Sequence, residues 1–126
     1  MNKYHFSLHL QFEKDCDVDK IEKELGMKAY KKNSLSESKG ENKTAKIWFK
    51  TENVENSDTY EMFERTLNGL KDKLEIIKKA NQEYSGKTVF TLYFEKLTEK
   101  PYIRLSSSDM ELLSNNGISF EVDFRI

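Results

Sequence analysis

Apolar and polar side chains alternate along the first dozen residues of the chain. From Tyr4 to Phe12 every second residue is apolar, and the residues between them are polar. Successive side chains of a β-strand point to opposite faces, so this period of two predicts a strand with one buried face. The same period recurs at residues 45–50 and 118–126, whereas residues 89–94 are partly apolar on both faces, as in a central strand. A chain with several such strands needs a sheet with one face covered.

A short helix is predicted after the first strand. Asp17 stands in the N-cap position, and Asp19 with Glu22 has the spacing of a capping box. Gly26 follows the last apolar position and supplies a helix stop. The segment therefore predicts a helix of about two turns.

Two further helices are predicted from similar signals. Asp58 and Glu61 form a second capping box, and apolar residues then recur every three or four positions until the helix ends near Asn81. Residues 108–111 form a third capping box, and Gly117 ends the small helix that follows it. The helix beginning at Asp58 is the longest, and its apolar stripe suits packing on a sheet.

Weaker extended segments complete the order of elements. Residues 28–35 and 102–105 are predicted to be short strands, which gives the order β-α-β-β-α-β-β-α-β. Strands that are apolar on one face suit a mostly antiparallel sheet with the helices packed on one face. The predicted fold class is α+β, a sandwich related to the ferredoxin-like plan, and residues 1–126 are expected to form a single domain.

Composition narrows the class of protein. The 126 residues include 21 Lys+Arg against 22 Asp+Glu, for a net charge of -1. A nucleic-acid role is disfavoured because it needs a basic footprint. The chain offers no signal peptide and no apolar run long enough for a membrane, and its one cysteine cannot form an internal disulfide. A cytoplasmic protein is expected.

The near-zero charge is a cancellation between two neighbouring segments. Residues 27–50 carry seven Lys and two Glu, a balance of +5, whereas residues 51–64 carry five acids and no base. Acids near a helix start stabilise the helix dipole, which is their ordinary structural role. The functional alternative is an acidic patch that steers a basic protein, such as a toxin domain. The candidate partner-binding residues are Glu52, Glu55, Asp58, Glu61 and Glu64.

A second candidate site is the sheet face around Trp48. If Ile47 and Phe49 face the core, Trp48 points to the other face, where an aromatic ring among hydrogen-bonding groups is typical of a binding surface. Alternatively, Trp48 covers a sheet edge or packs under the loop at residues 36–43. The candidate sheet-face residues are His5, His9, Trp48, Tyr93, Glu121, Asp123 and Arg125.

The two histidines of this set do not predict a metal site. Residues four apart on one strand are separated by about 13 Å, whereas ligands lie roughly 2 Å from one ion. His5 and His9 are therefore expected to face solvent, and neither a metal nor another cofactor is expected.

Several short segments, taken in their order along the chain, have a combined pattern. They are the first strand, Asp17-Val18-Asp19-Lys20-Ile21, Leu25-Gly26, Lys39-Gly40-Glu41, Ile47-Trp48-Phe49, the long amphipathic helix and Gly117-Ile118-Ser119-Phe120. In this order they resemble the bacterial family called domain of unknown function 4279. The resemblance spans nearly the whole chain, although Ala29-Tyr30 stands where the family usually has a Pro-Thr pair. It implies a compact α+β domain in bacteria and carries no established catalytic residues.

Two classes of function follow from these observations. The first is a non-enzymatic protein-binding module, in its most concrete form an immunity-type protein that neutralises a cognate toxin by covering its active surface. The second is a small-ligand-binding or enzymatic domain that uses the open sheet face around Trp48.

Overall fold

The computed structural model describes residues 1–55 and 58–125. The strands, in chain order, are β1 (Lys3–Phe12), β2 (Lys31–Asn33), β3 (Ala45–Lys50), β4 (Val54–Glu55), β5 (Gly86–Lys96) and β6 (Ile118–Phe124). The helices are α1 (Val18–Leu25), α2 (Thr59–Leu70), α3 (Leu74–Tyr84) and α4 (Ser107–Asn115), with a 3-10 turn at Lys71–Lys73 between α2 and α3.

All the strands belong to one sheet with β1 near its centre. The spatial order is β2-β3-β1-β5-β6, and β4 pairs with the beginning of β1 beside β3. Among the paired strands of the described residues, β5 with β6 is the one parallel pair, and the other four pairs are antiparallel. β1 and β2 are joined through α1, and β3 lies between them. β3 and β5 are joined through α2 and α3, and β1 lies between them. The chain up to β5 therefore consists of two interlocked split βαβ units. This is the ferredoxin-like plan, to which α4 and β6 add one parallel strand.

The core lies between the sheet and the helices. From Tyr4 to Phe12, every second residue of β1 is at most 4% exposed, as the alternation predicts. The ring of Phe63 on α2 packs against Phe90 of β5 and Phe120 of β6, at centroid distances of 6.0 and 5.2 Å. Burying each such side chain contributes about 1.5–3 kcal/mol, so these alternating positions hold the helix layer on the sheet. The predicted α+β class, with helices on one face of a mostly antiparallel sheet, is confirmed.

Local caps set the helix ends. Asp17 accepts a hydrogen bond from the Lys20 amide, and Gly26 ends α1 at a φ of 67°, a left-handed conformation that suits glycine. Asp58 accepts a hydrogen bond from the Glu61 amide at 2.9 Å. The N-cap predictions at Asp17 and Asp58 and the stop at Gly26 are therefore confirmed.

Two predicted capping boxes are wrong. Asp17 rather than Asp19 caps α1, and Glu22 binds the Ala29 amide and, together with Asp19, the Lys32 ammonium. The last helix starts earlier than predicted, because Ser106 rather than Ser108 caps it by accepting from the Asp109 amide. Several acceptor side chains stand near each helix start, and packing of the adjoining loop decides which one caps.

The strands also differ from prediction at their ends. The segment at 28–35 forms only the three-residue β2, and the segment at 102–105 forms no strand. β5 extends well beyond residues 89–94, and β4 is a two-residue strand without an alternation signal. The final strand ends at Phe124, and Ile126 lies outside the described residues. The order of elements is therefore β-α-β-β-β-α-α-β-α-β.

The predicted long helix is divided. It tightens into the 3-10 turn soon after Gly69, resumes as α3 and continues to Tyr84, beyond the expected end near Asn81. Leu70 and Leu74 are buried on either side of the turn. The apolar stripe thus crosses the turn, which explains why spacing alone does not reveal the division.

Candidate functional site

The face of the sheet opposite the helices, here called the open face, is formed by the polar positions of the strands. Adjacent strands align these positions into rows across the sheet. One row runs from Lys31 through Trp48 and His9 to Val89, the next contains Ser7, and the row after that places His5 beside Tyr93. The structure therefore brings the candidate sheet-face residues onto one surface, because their strands β1, β3, β5 and β6 are neighbours.

Trp48 is the centre of an aromatic and cationic group on this face. The ring of Tyr30 meets the ring of Trp48 edge to face at 5.2 Å, and the ring of His9 lies 6.3 Å away on the other side. The ammonium of Lys50 stands 4.2 Å from the Tyr30 centroid, and that of Lys31 lies 5.8 Å from Trp48. These distances permit cation–π attraction. We call these five residues the tryptophan cluster.

Three members of this cluster were not among the sequence candidates. Lys50 carried a usable signal, because it follows Trp48 by two positions on a predicted strand and so shares its face. The sequence gives no such signal for Tyr30 and Lys31, because their position beside Trp48 depends on the pairing of β2 with β3. Trp48 itself is not on an edge strand, because β2 and β1 flank β3 on its two sides.

The loop after α1 holds Tyr30 in place. The carboxylate of Glu22 accepts from the Ala29 amide at 2.7 Å and from the Lys32 ammonium at 2.6 Å, and the Tyr30 amide donates to the Trp48 carbonyl at 2.7 Å. Lys32 lowers the pKa of the Glu22 carboxyl, so the anchor is charged at neutral pH. Residues on both sides of Tyr30 are thus tethered, which fixes its ring over β3.

A second group lies beside β6. The imidazole of His5 is stacked on the ring of Tyr93 at 5.0 Å, and the guanidinium of Arg125 stands 4.1 Å from the centroid of the same ring. Nδ1 of His5 lies 3.4 Å from a carboxylate oxygen of Glu95, and Asp123 lies 3.9 Å from Arg125. We call these residues the histidine cluster.

The expectation that His5 faces solvent is wrong. His5 is only 5% exposed, and His9 is half-buried. Burial lowers the pKa of both imidazoles, with the Glu95 carboxylate opposing the shift at His5 and Lys46 adding to it at His9. Both rings are therefore neutral at pH 7, and only the half-buried His9 offers part of its ring to the open face.

The open face is electrostatically polarised. At the β2–β3 side it presents Lys31, Lys46 and Lys50, whereas at the β6 side it presents the exposed carboxylates of Glu121 and Asp123. A partner that covers the whole face must therefore offer acidic groups at one end and basic groups at the other.

The five candidate acids of the 51–64 segment are placed in different surroundings. Glu52 and Glu55 are exposed, and Asp58 caps α2. Glu61 forms an ion pair with Arg65 at 3.1 Å. Glu64 is half-buried, and burial together with Asp109 raises the pKa of its carboxyl. Of the four exposed acids, Asp58 and Glu61 thus take part in α2, whereas Glu52 and Glu55 lie outside the helix.

A cavity of about 250 Å³ lies on the helix side of the sheet, between α2 and the strands. Phe49 and Phe90 line its floor, and Gly69 of α2 lines its wall, where an added methyl would meet nothing within 4 Å. In the sequence, Gly69 within the predicted helix is the feature that indicates this unfilled space, because glycine has no side chain. Among the described residues, no sequence candidate lines the cavity.

The remaining reactive groups do not assemble into a centre. In the described ranges, no three His, Cys, Asp or Glu side chains approach closely enough to hold a metal ion. Burial raises the pKa of the Cys16 thiol, and the carboxylates of Asp15 and Asp17 raise it further, so the thiol is protonated at neutral pH.

Comparison with known proteins gives a family. Residues 2–126 match the family described as domain of unknown function (DUF4279), and the chain belongs to that family. A search of curated proteins and a search of solved structures each found no significant match. Within residues 1–55 and 58–125, the helices are too short or too polar to cross a membrane.

Proposed function

We propose that the protein is a non-enzymatic binding module that holds a partner protein on the open face of its sheet. The observation that carries the proposal is the tryptophan cluster, in which aromatic rings and lysines are held in contact at the surface. Tyr30 is 52% exposed although its backbone is anchored on both sides. Aromatic rings fixed in this way bind with little loss of conformational freedom and are enriched at the energetic centres of interfaces.

The polarisation of the open face defines the partner. A partner seated on it places acidic groups near Lys31 and Lys50 and basic groups near Glu121 and Asp123. Glu55 is exposed and lies opposite Lys3 in the pairing of β4 with β1. This acid of the 51–64 segment therefore lies near the end of the open face that contains His5. A partner with a strongly basic region therefore fits the side that carries the carboxylates.

In its most specific form, the proposal is that the protein neutralises a bacterial toxin by covering the toxin's active surface. An open sheet face suits this role because it presents a broad, fixed surface rather than a pocket. Toxin neutralisation needs no chemistry from the module, only burial of the toxin's site.

The proposal is tested by comparing which proteins three variants of the chain capture from a lysate of the source organism. The wild-type chain, Trp48→Ala and Tyr102→Ala serve as baits, the last because Tyr102 is an aromatic residue that is 65% exposed and contacts Tyr60 of α2, away from the open face. One protein should be retained by the wild type and Tyr102→Ala and lost with Trp48→Ala. With purified components, calorimetry should show a loss of affinity of roughly 30-fold, or about 2 kcal/mol, for Trp48→Ala.

The toxin role has its own readout. The captured protein should arrest growth when it is expressed alone, and co-expression of the wild-type chain, but not of Trp48→Ala, should restore growth. Equal binding of the captured protein to all three baits would overturn the open face as its site. A fluorescence response of Trp48 to a metabolite, with no protein distinguishing the baits, would replace the partner protein by a small ligand.

A further inference from the structure

The two edges of the sheet are protected to different degrees. One edge is β2, which has three residues and exposes Lys31 and Lys32. The other edge is β6, which has seven residues and pairs only with β5 in the described structure. Short, lysine-rich edge strands discourage pairing with another chain, whereas a long edge strand is a template for it.

The alternating direction of backbone groups along β6 shows which of its amides and carbonyls are left unpaired by β5. The Arg125 amide donates to the Phe94 carbonyl of β5 at 2.9 Å. Backbone groups of successive strand residues point to alternate sides, so the odd-numbered residues of β6 bond to β5. The amides and carbonyls of Phe120, Val122 and Phe124 therefore point outward along the edge.

The side chains at this edge are partly apolar. Val122 is 39% exposed and Phe124 is 52% exposed, although the Phe124 ring also stacks on Phe94 at 5.2 Å. Both lie on the helix side of the sheet, while Glu121, Asp123 and Arg125 lie on the open face. The edge thus combines unpaired backbone groups, exposed apolar surface and charges of both signs.

We propose that β6 pairs with β6 of a second copy of the chain, antiparallel, to form a symmetric dimer with one continuous sheet. In the register proposed, Glu121 lies opposite Arg125 of the second copy, and Val122 lies opposite Phe124 of the second copy. Two-fold symmetry repeats each pair, so the contact contains two ion pairs and two apolar pairs. The outward backbone groups of Val122 and Phe124 bond across the axis.

Charge and the number of paired residues together select this register. Moving the second copy by two residues toward its amino terminus places Glu121 opposite Asp123 twice, which is repulsive. Moving it two residues the other way places Asp123 opposite Arg125 twice, but it pairs only residues 123–125 of the described chain and loses both contacts between Val122 and Phe124. In the proposed register Asp123 meets its own symmetry mate, and the arginines at position 125 of both copies lie diagonally beside that pair. Attraction therefore exceeds repulsion along the edge.

The dimer differs from the open-face partner of the proposed function. It uses the edge of the sheet and leaves the tryptophan cluster on the opposite side free, while Glu121 and Asp123 belong to both contacts. The contact is small, because a single strand pair buries less than the roughly 1,200 Å² of a stable interface. A reversible dimer that strengthens with protein concentration and weakens with salt is expected.

Charge-reversal variants test the register. Self-association is measured by sedimentation velocity at low salt, with the protein concentration varied from micromolar to millimolar. The wild type should shift from monomer to dimer with concentration. Glu121→Arg and Arg125→Glu should each weaken self-association roughly tenfold or more, because each places like charges opposite one another twice. The double variant should restore dimerisation. Glu75→Arg, at an exposed position of α3, makes the same change in net charge as Glu121→Arg and should dimerise like the wild type.

A proline variant tests the backbone pairing. Val122→Pro removes an outward amide that β5 does not use, so the monomer should keep its circular dichroism spectrum while the dimer is lost. A wild type that stays monomeric throughout overturns the proposal, and so does a dimer that survives Val122→Pro. A dimer lost with Val122→Pro but unaffected by Glu121→Arg overturns the register. Pairing of β6 with a different protein, and not with itself, overturns the choice of a second copy.

Discussion

The imidazole of His5 lies nearly parallel to the ring of Tyr93, with their centroids 5.0 Å apart and their planes at 23°. The two residues are direct neighbours across β1 and β5, so the stacking follows from the register of the sheet. Arg125 stands near the same tyrosine ring, with its guanidinium 4.1 Å from the centroid. A neutral imidazole lies beside this cationic group more favourably than an imidazolium does, which makes the histidine cluster sensitive to acid.

Stability should fall as the pH drops below 6.5. Burial lowers the pKa of His5 in the folded state below its ordinary value of 6.5, so the unfolded state binds the proton more readily. The contribution of His5 is complete above pH 6.5 and is lost as the pH falls toward the lower folded pKa. His5→Phe keeps a flat ring and removes this titration. Denaturant titrations should show that the free energy of unfolding declines less steeply for His5→Phe than for the wild type as the pH is lowered below 6.5.

His9→Phe is the matched control within the same strand. His9 is also buried enough to lower its pKa, but it lies beside Trp48 and Lys46 rather than beside the Glu95 carboxylate. Each variant should remove its own part of the pH dependence. Parallel profiles for the wild type and His5→Phe would contradict the assignment to His5.

Gly86 should tolerate no side chain. A methyl group there would lie 2.5 Å from Oδ1 of Asn81 and 2.6 Å from a ring carbon of Phe12. Gly86→Ala should therefore lower the free energy of unfolding by about 1–3 kcal/mol, measured by urea titration. Gly69→Ala is the control, because its methyl meets nothing within 4 Å and alanine favours a helix by about 1 kcal/mol. Equal effects of the two substitutions would refute the steric explanation.

The side chain of Asn2 should stabilise the segment that follows β5. It is fully buried, and its Oδ1 accepts from the amides of Thr98 and Glu99 at 2.9 and 3.1 Å. Asn2→Ala should cost about 1–3 kcal/mol of unfolding free energy, because two amides lose their acceptor. Hydrogen exchange should accelerate at Thr98 and Glu99, and Lys3→Ala should leave both amides protected. Unchanged exchange in Asn2→Ala would show that the amides have other acceptors.

Glu64→Gln should stabilise the protein at neutral pH. Burial and the Asp109 carboxylate raise the pKa of Glu64 in the folded state, so its contribution declines as the pH rises above the unfolded value of 4.5. The neutral amide removes the like-charge contact, for a gain of roughly 0.5 kcal/mol at pH 7. Thermal unfolding of Glu61→Gln is the comparison, because that change breaks the ion pair with Arg65 and should not stabilise. An equal gain from both would point to overall charge instead.

The sequence predicts those parts of the fold that depend on neighbours along the chain. The alternation from Tyr4 to Phe12 reports directly which side of β1 is buried, and Asp17 and Gly26 report where α1 begins and ends. The pairing of β2 with β3 is different, because it joins residues that are far apart in sequence and leaves no periodic signal. Tyr30 enters the tryptophan cluster through that pairing.

Burial of polar residues escaped prediction for the same reason. His5 stands on the polar side of an alternating strand, so its sequence context indicates solvent. Its neighbour across the sheet is Tyr93, and Glu95 lies close to Nδ1. Only the cross-strand register brings these side chains over the imidazole, and one-dimensional spacing contains no information about that register.

The central place of β1 has a consequence for biosynthesis. β1 leaves the ribosome before both of its main partners, and its longest pairing, with β5, extends to Lys96. The backbone groups of β1 on its β5 side therefore stay unpaired until Lys96 has been synthesised. Sheets closed by such distant segments nucleate slowly, so most of the chain must be made before the central strand pair can form.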